Sequence, residues 1–84
     1  MNPAYLPKTT AGILAWCSEE CAEVGSAISK TLRVEAEQSG GIVVALESGN
    51  PELAGKDFET NRDWILREIA DLELAIAAVK KALS

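Results

Sequence analysis

The chain has 84 residues, enough for one small domain spanning 1–84 and no second one. With 13 acidic against 8 basic side chains and a net charge of −5, it lacks the basic face of a general nucleic-acid binder, so no nucleic-acid partner is expected. It contains no apolar run long enough to span a membrane and no basic-then-apolar leader at Met1-Asn2-Pro3, which together read as a cytoplasmic protein with no membrane partner. An acidic chain still admits a nucleotide as substrate, because a divalent cation offsets the acids locally.

Residues 1–8 read as an extended lead-in, since Pro3 and Pro7 block early helix, and Thr9 or Thr10 is placed to cap the first helix. Ile13, Leu14, Cys17, Cys21, Val24, Ile28 and Leu32 then recur at three- and four-residue steps, predicting an amphipathic helix over about residues 10–37. Gly25 interrupts it beside Ser26, Ala27 and Ser29, which fits either a close helix crossing or a tolerated glycine. Ser39-Gly40-Gly41 ends the helix. Ile42-Val43-Val44-Ala45-Leu46 has no strand partner elsewhere in the chain. It reads as a short buried helix or as an apolar segment lying on another subunit. Ser48-Gly49-Asn50-Pro51 is a turn, and residues 52–54 can form one helical turn before Gly55, so 38–58 is a variable loop with a short helix.

A second long helix starts between Asp57 and Asn61. It carries one apolar stripe of Ile65, Ile69, Leu72, Ile76, Val79 and Leu83, and a second of Leu66, Ala70, Leu74, Ala77 and Ala78. Apolar surface on two sides of one helix, in a chain that is 48% hydrophobic, implies burial between subunits. The expected fold is all-α: two long antiparallel helices plus a short connecting segment, with a four-helix-bundle core completed by oligomerisation.

Each long helix carries a pair of acids three residues apart, Glu20 with Glu23 and Glu68 with Asp71, and that spacing puts each pair on one helix face. If the helices pack antiparallel, the four carboxylates converge at the edge of the packed face. Two unit charges ~5 Å apart repel by roughly 3 kcal/mol at an effective dielectric of about 20, so such a cluster requires protons or a cation. The alternative is a pair of ordinary solvated faces. The absence of histidine excludes a histidine base and the Glu-x-x-His pairs of a di-iron bundle. Oxygen-only ligands suit Mg²⁺ or Mn²⁺. Cys17 and Cys21 lie on one helical face, where a disulfide would strain the helix, and read as two small buried hydrophobes.

Glu19-Glu20-x-x-Glu23 together with Glu68-x-x-Asp71 resembles the EExxE…ExxD pattern of the MazG-like all-α nucleoside triphosphate pyrophosphohydrolases, in particular the small phage-type members. Ala27, Ser29-Lys30, Arg33 and Asn61-Arg62 add to the likeness, which covers residues 10–33 and 60–80. The resemblance implies Mg²⁺-dependent hydrolysis of a nucleoside or deoxynucleoside triphosphate to the monophosphate and pyrophosphate, in a homodimer or homotetramer. It implies Glu20, Glu23, Glu68 and Asp71 as metal ligands, and Glu19 as the acid that handles the attacking water or helps to hold a second ion. Lys30 and Arg33 are candidates for the β- and γ-phosphates, or for ordinary solvated helix positions. Asn61 is a candidate for sugar or base binding, or for the helix cap. Trp16 and Trp64 each precede an acid by one turn and either stack on a base or pack in the core or an interface. Two departures from the pattern are the long gap between Glu23 and Glu68 and Arg33-Val34-Glu35 where small members continue Arg-Phe-Gly. The competing expectation is a non-catalytic acidic helical oligomer, acting as a protein-interaction module or as a nucleotide or metal sensor.

Overall fold

Thr9 opens the first long helix. Its hydroxyl accepts a hydrogen bond from the Gly12 amide at 3.0 Å, satisfying one of the amides that a helix start leaves unpaired. In the computed structural model, which describes residues 6–53 and 58–84, this helix, α1, spans Thr10–Glu37. Residues 6–8 ahead of it are non-helical, as expected, and 1–5 lie outside the described residues. At Gly25 an added Cβ would meet nothing within 4 Å, so the glycine marks a tolerated position and not a close crossing.

The chain turns at Gly40 and Gly41, whose φ values of 116° and 73° lie where L side chains are strained. A Cβ on Gly40 would also stand 2.5 Å from Val44. A short helix, α2, comes next at Gly41–Glu47. A 3-10 turn at Pro51–Leu53 falls one residue before the expected turn, whose last position, Ala54, lies outside the described residues along with Gly55 and Asp57. The second long helix, α3, spans Asn61–Leu83. Thr60 caps it, accepting from the Asp63 amide at 3.1 Å, so the cap falls to Thr60 and Asn61 is free to turn inward. Among the described residues the structure is all-helical, and its one piece of β geometry is the isolated bridge between Gly49 and Thr60. No described helix is long and apolar enough to cross a membrane.

The two long helices run antiparallel. Lys30, late in α1, lies over Trp64, early in α3, while Ile13 and Ala78 border the same cleft at the opposite ends of the two helices. The seam between them is lined by Glu20, Ala27 and Thr31 from α1 and by Asn61, Trp64, Glu68 and Ala75 from α3, all buried. This corrects the expected packing. At 3.6 residues per turn Ile13 and Val24 of the expected stripe lie beside that seam and are half-buried, while Cys17, Cys21, Ile28 and Leu32 lie about 90° round α1 from it. Leu32 is 51% exposed and Cys21 is exposed as well, while Cys17 is half-buried, so the cysteines are not a buried pair. On α3 the stripe from Ile65 to Val79 is mostly half-buried, and Leu66 and Leu74 stand on the outer side, 57% and 63% exposed. Ile42–Leu46 does form a helix, but within it only Ala45 is buried. Apart from Trp64 the buried seam positions are small or polar, and the larger aliphatic residues lie on the flanks. A Cα extent of 14 Å in the thinnest direction is a single layer of helices.

Asn61 ties α2 to α3. It is fully buried, and its Nδ2 donates to the Ala45 carbonyl at 2.9 Å, docking the short helix on the long one. Asn61→Ala is expected to lower stability by roughly 1–3 kcal/mol through the unpaired carbonyl. Gly25→Ala, in open space within a helix, is expected to raise it by about 0.5–1 kcal/mol. Urea titrations monitored by circular dichroism measure both signs.

Candidate metal centre and its flanking cleft

Helix geometry brings acids from both long helices into the seam. Glu20 and Glu23 are one turn apart on α1, and Glu68 faces them from α3. One carboxylate oxygen from each lies within 4.8 Å of the others. Glu20 and Glu68 are each only 8% exposed, so these acids sit inside the helix contact rather than at the edge of a packed face. Asp71, one turn beyond Glu68, is half-buried and stands outside the group of three. Glu19 is exposed and also outside it.

Each of the two buried carboxylates is engaged through one oxygen, Glu20 by a neutral donor and Glu68 by an ion pair with Arg67. Glu20 Oε1 accepts a hydrogen bond from the Trp16 indole N–H at 3.1 Å, and Glu68 Oε1 accepts one from Arg67 Nη1 at 3.3 Å. In both residues Oε2 is buried and has no hydrogen-bond partner among the described residues. A buried carboxylate oxygen without a donor is strongly unfavourable unless a proton or cation compensates it. Three convergent acid oxygens fit a hard divalent cation such as Mg²⁺ or Mn²⁺, which takes oxygen ligands. The Glu23 carboxyl is pushed up to about 7, first by loss of hydration, then by its hydrogen-bonded contact with Glu68 and by repulsion from Glu20 and Glu68.

A cleft of about 240 Å³ adjoins the acids and is bordered by Glu23, Lys30, Asn50, Trp64, Arg67 and Glu68. Trp64 is buried, and the Lys30 ammonium lies 5.9 Å from its ring centroid while pairing with Glu52. Arg33 is exposed and lines a second cleft of about 260 Å³ that shares Lys30 and Glu52 with the first. The cleft therefore combines an indole and cations next to a cluster of acids. Trp16 is half-buried with its N–H committed to Glu20, and the amide N–H of Asn61 is committed to Ala45.

Three residues absent from the sequence expectations shape this region. Arg67 donates through Nε and Nη2 to both oxygens of Glu59, at 3.0 and 3.2 Å. Glu59 Oε1 also accepts from Asn50 Nδ2 at 2.9 Å, and the Asn50 amide donates to the Glu59 carbonyl at 2.7 Å. Arg67 and Asn50 hold the Glu59 carboxyl below the usual range, with Arg67 the larger cause. Adjacent positions on a helix do not face one another, so no periodicity rule pairs Arg67 with Glu68. The partner Glu59 is supplied by the loop, whose path the sequence does not fix. For Trp16 the four-residue step to Glu20 was a readable signal.

Comparison with family models, characterised proteins and solved structures returned no match to this chain, so the resemblance rests on the sequence motifs alone.

The raised Glu23 pKa sets a pH dependence. Between about 4.5 and 7 the folded chain holds a proton at Glu23 that the unfolded chain releases, so stability falls as pH rises through that window. Glu59 acts in the opposite sense but only below its unfolded pKa of 4.5, outside this window. In a chelator, the melting temperature is expected to be higher near pH 5 than near pH 7.5, with the difference much reduced in Glu23→Gln. Differential scanning calorimetry across that range checks the sign.

Proposed function

We propose that the chain is a Mg²⁺-dependent nucleotide pyrophosphohydrolase, splitting a nucleoside or deoxynucleoside triphosphate into the monophosphate and pyrophosphate in the cytoplasm. The observation that carries this reading is the pair of buried acids on opposite helices, Glu20 and Glu68, each with an oxygen lacking any donor among the described residues, and with Glu23 beside them. Such a pair is hard to reconcile with a purely structural seam. Glu20, Glu23 and Glu68 hold the ion, with Asp71 one turn further along α3 as the fourth acid. When bound, Mg²⁺ supplies a Lewis acid that neutralises phosphate oxygens and activates water.

The remaining residues bind and orient the substrate. Lys30 and Arg33 take the outer phosphates, Lys30 exchanging its contact with Glu52 for them. Trp64 borders the cleft but is buried with the Lys30 ammonium over its ring, so a base reaches the indole only once Lys30 has moved to the phosphates, while Asn61, one turn before it, is bonded to Ala45 and Trp16 to Glu20. Water attacks the α-phosphorus, the bond to the bridging oxygen breaks, and pyrophosphate leaves with its charge neutralised. Glu19, roughly 100° round α1 from Glu20, takes part in handling the water where the substrate extends beyond the seam.

A second copy of the chain completes the core as a homodimer or homotetramer. Leu14, Leu32, Leu66 and Leu74 are between 44% and 63% exposed on a single-layer chain, and full burial of one leucine contributes roughly 1.5–3 kcal/mol. The same surfaces favour the second reading, an interaction module without turnover. That reading predicts that Glu20→Gln is neutral or stabilising, because it only removes a buried repulsion.

Pyrophosphate release from a panel of triphosphates should require Mg²⁺, stop with EDTA, and be lost in Glu20→Gln and Glu68→Gln while both variants retain helical circular dichroism. Release that is unaffected in the variants would remove the site assignment. By light scattering after size exclusion, the wild type should exceed monomer mass and Leu74→Glu should shift toward the monomer.

A further inference from the structure

The hydrogen bonds at the two buried acids repeat one pattern across two helices. Glu20 and Glu68 each have Oε1 engaged by a neighbouring side-chain N–H and Oε2 left without a partner among the described residues. The donors differ in charge, so Glu20 keeps its full charge while that of Glu68 is partly offset by Arg67. The Trp16 indole is neutral, so it fixes the position of Glu20 without competing with a cation. Arg67 is charged, but its bidentate contact is made to Glu59, through Nε and Nη2. Only Nη1 reaches Glu68, and at 3.3 Å it makes the longest of the three bonds. The guanidinium is itself held in place, because Glu59 accepts from Asn50 and the Asn50 side chain accepts from the Glu52 amide at 2.8 Å.

We propose that Trp16 and Arg67 are positioning residues for divalent-cation binding, each fixing one buried carboxylate through Oε1 so that its second oxygen stays free for the ion. Trp16 acts on Glu20 within α1. Arg67 acts on Glu68 and connects the loop, through Glu59 and Asn50, to the site. This rests on the reading of the three acids as a cation site. It assigns Trp16 a different task from stacking on a base, and it gives Arg67 a role that its charge alone would oppose.

The opposition in sign makes the idea testable. A cation beside acidic ligands repels a bound metal, so if Arg67 acted only as a charge, removing it would tighten binding. If it positions Glu68, removing it weakens binding. Loss of the partner that orients a metal ligand typically reduces affinity by roughly ten- to a hundredfold. The experiment is Mn²⁺ titration of the full chain, measuring free Mn²⁺ by electron paramagnetic resonance, for the wild type, Trp16→Phe, Arg67→Met and Glu59→Gln. Arg62→Met is the control, since Arg62 pairs with Glu47 away from the acids and carries the same charge. Expected are Mn²⁺ affinities reduced by roughly ten- to a hundredfold in Trp16→Phe and Arg67→Met, a smaller reduction in Glu59→Gln, and wild-type affinity in Arg62→Met. Unchanged or tighter binding in Trp16→Phe and Arg67→Met, with a wild type that binds, overturns the positioning role and leaves the cation site standing. No Mn²⁺ binding by folded wild type overturns both. Should Trp16→Phe lose its helical circular dichroism, Arg67→Met and Glu59→Gln decide the question from the other helix.

Discussion

A like-charge contact buried in the central helix seam constrains everything else in this fold. Three acid oxygens lie within 4.8 Å of one another, two of them on residues that are almost fully buried. At an effective dielectric of about 20, each charged pair at that separation repels by roughly 3 kcal/mol. A chain of this length has a net stability of only about 5–10 kcal/mol to set against it. The seam therefore holds together only if protons or a cation take up the charge, and a proton held at Glu23 near neutrality is one such response.

Around that contact the usual division of core and surface is displaced. Among the described residues the largest fully buried side chains are Asn61 and Thr31, both polar, and the buried hydrophobic residues are Ala27, Ala45, Ala75 and Trp64. Thr31 donates its hydroxyl back to the Ala27 carbonyl at 2.9 Å and Asn61 donates through Nδ2 to the Ala45 carbonyl, while Asn61 Oδ1 is buried without a partner among the described residues. Of these bonds only Asn61–Ala45 joins two helices, and polar packing of this kind contributes little apolar burial. The leucines that would supply it, among them Leu14, Leu32, Leu66 and Leu74, lie exposed on the flanks.

The loop between α2 and α3 belongs to the site as much as to the connection. The bridge between Gly49 and Thr60 closes it, and Glu59 and Asn50 are locked to each other by main-chain and side-chain bonds. From that closed frame Glu59 reaches Arg67 and Glu52 reaches Lys30, so both cations beside the acids are held by carboxylates from the loop. An anionic ligand entering the cleft competes with those loop carboxylates for the same cations.

The helices, their ends and the acid pairs were legible in the residues alone. Three- and four-residue periodicity marked out 10–37, the threonines and glycines marked the boundaries, and the three-residue spacing placed Glu20 with Glu23 on one face. These are properties of a single helix, set by backbone geometry and local capping. Which face of each helix is buried emerged only when the helices packed. Periodicity assigns the core to the most apolar stripe, but the helices pack on a face that buries Ala27, Ala75 and Trp64 together with Glu20 and Glu68. The hold on Glu20 was legible as a four-residue step from Trp16. The hold on Glu68 was not, because it runs through Glu59, and the position of a loop residue depends on contacts between segments that no local pattern encodes.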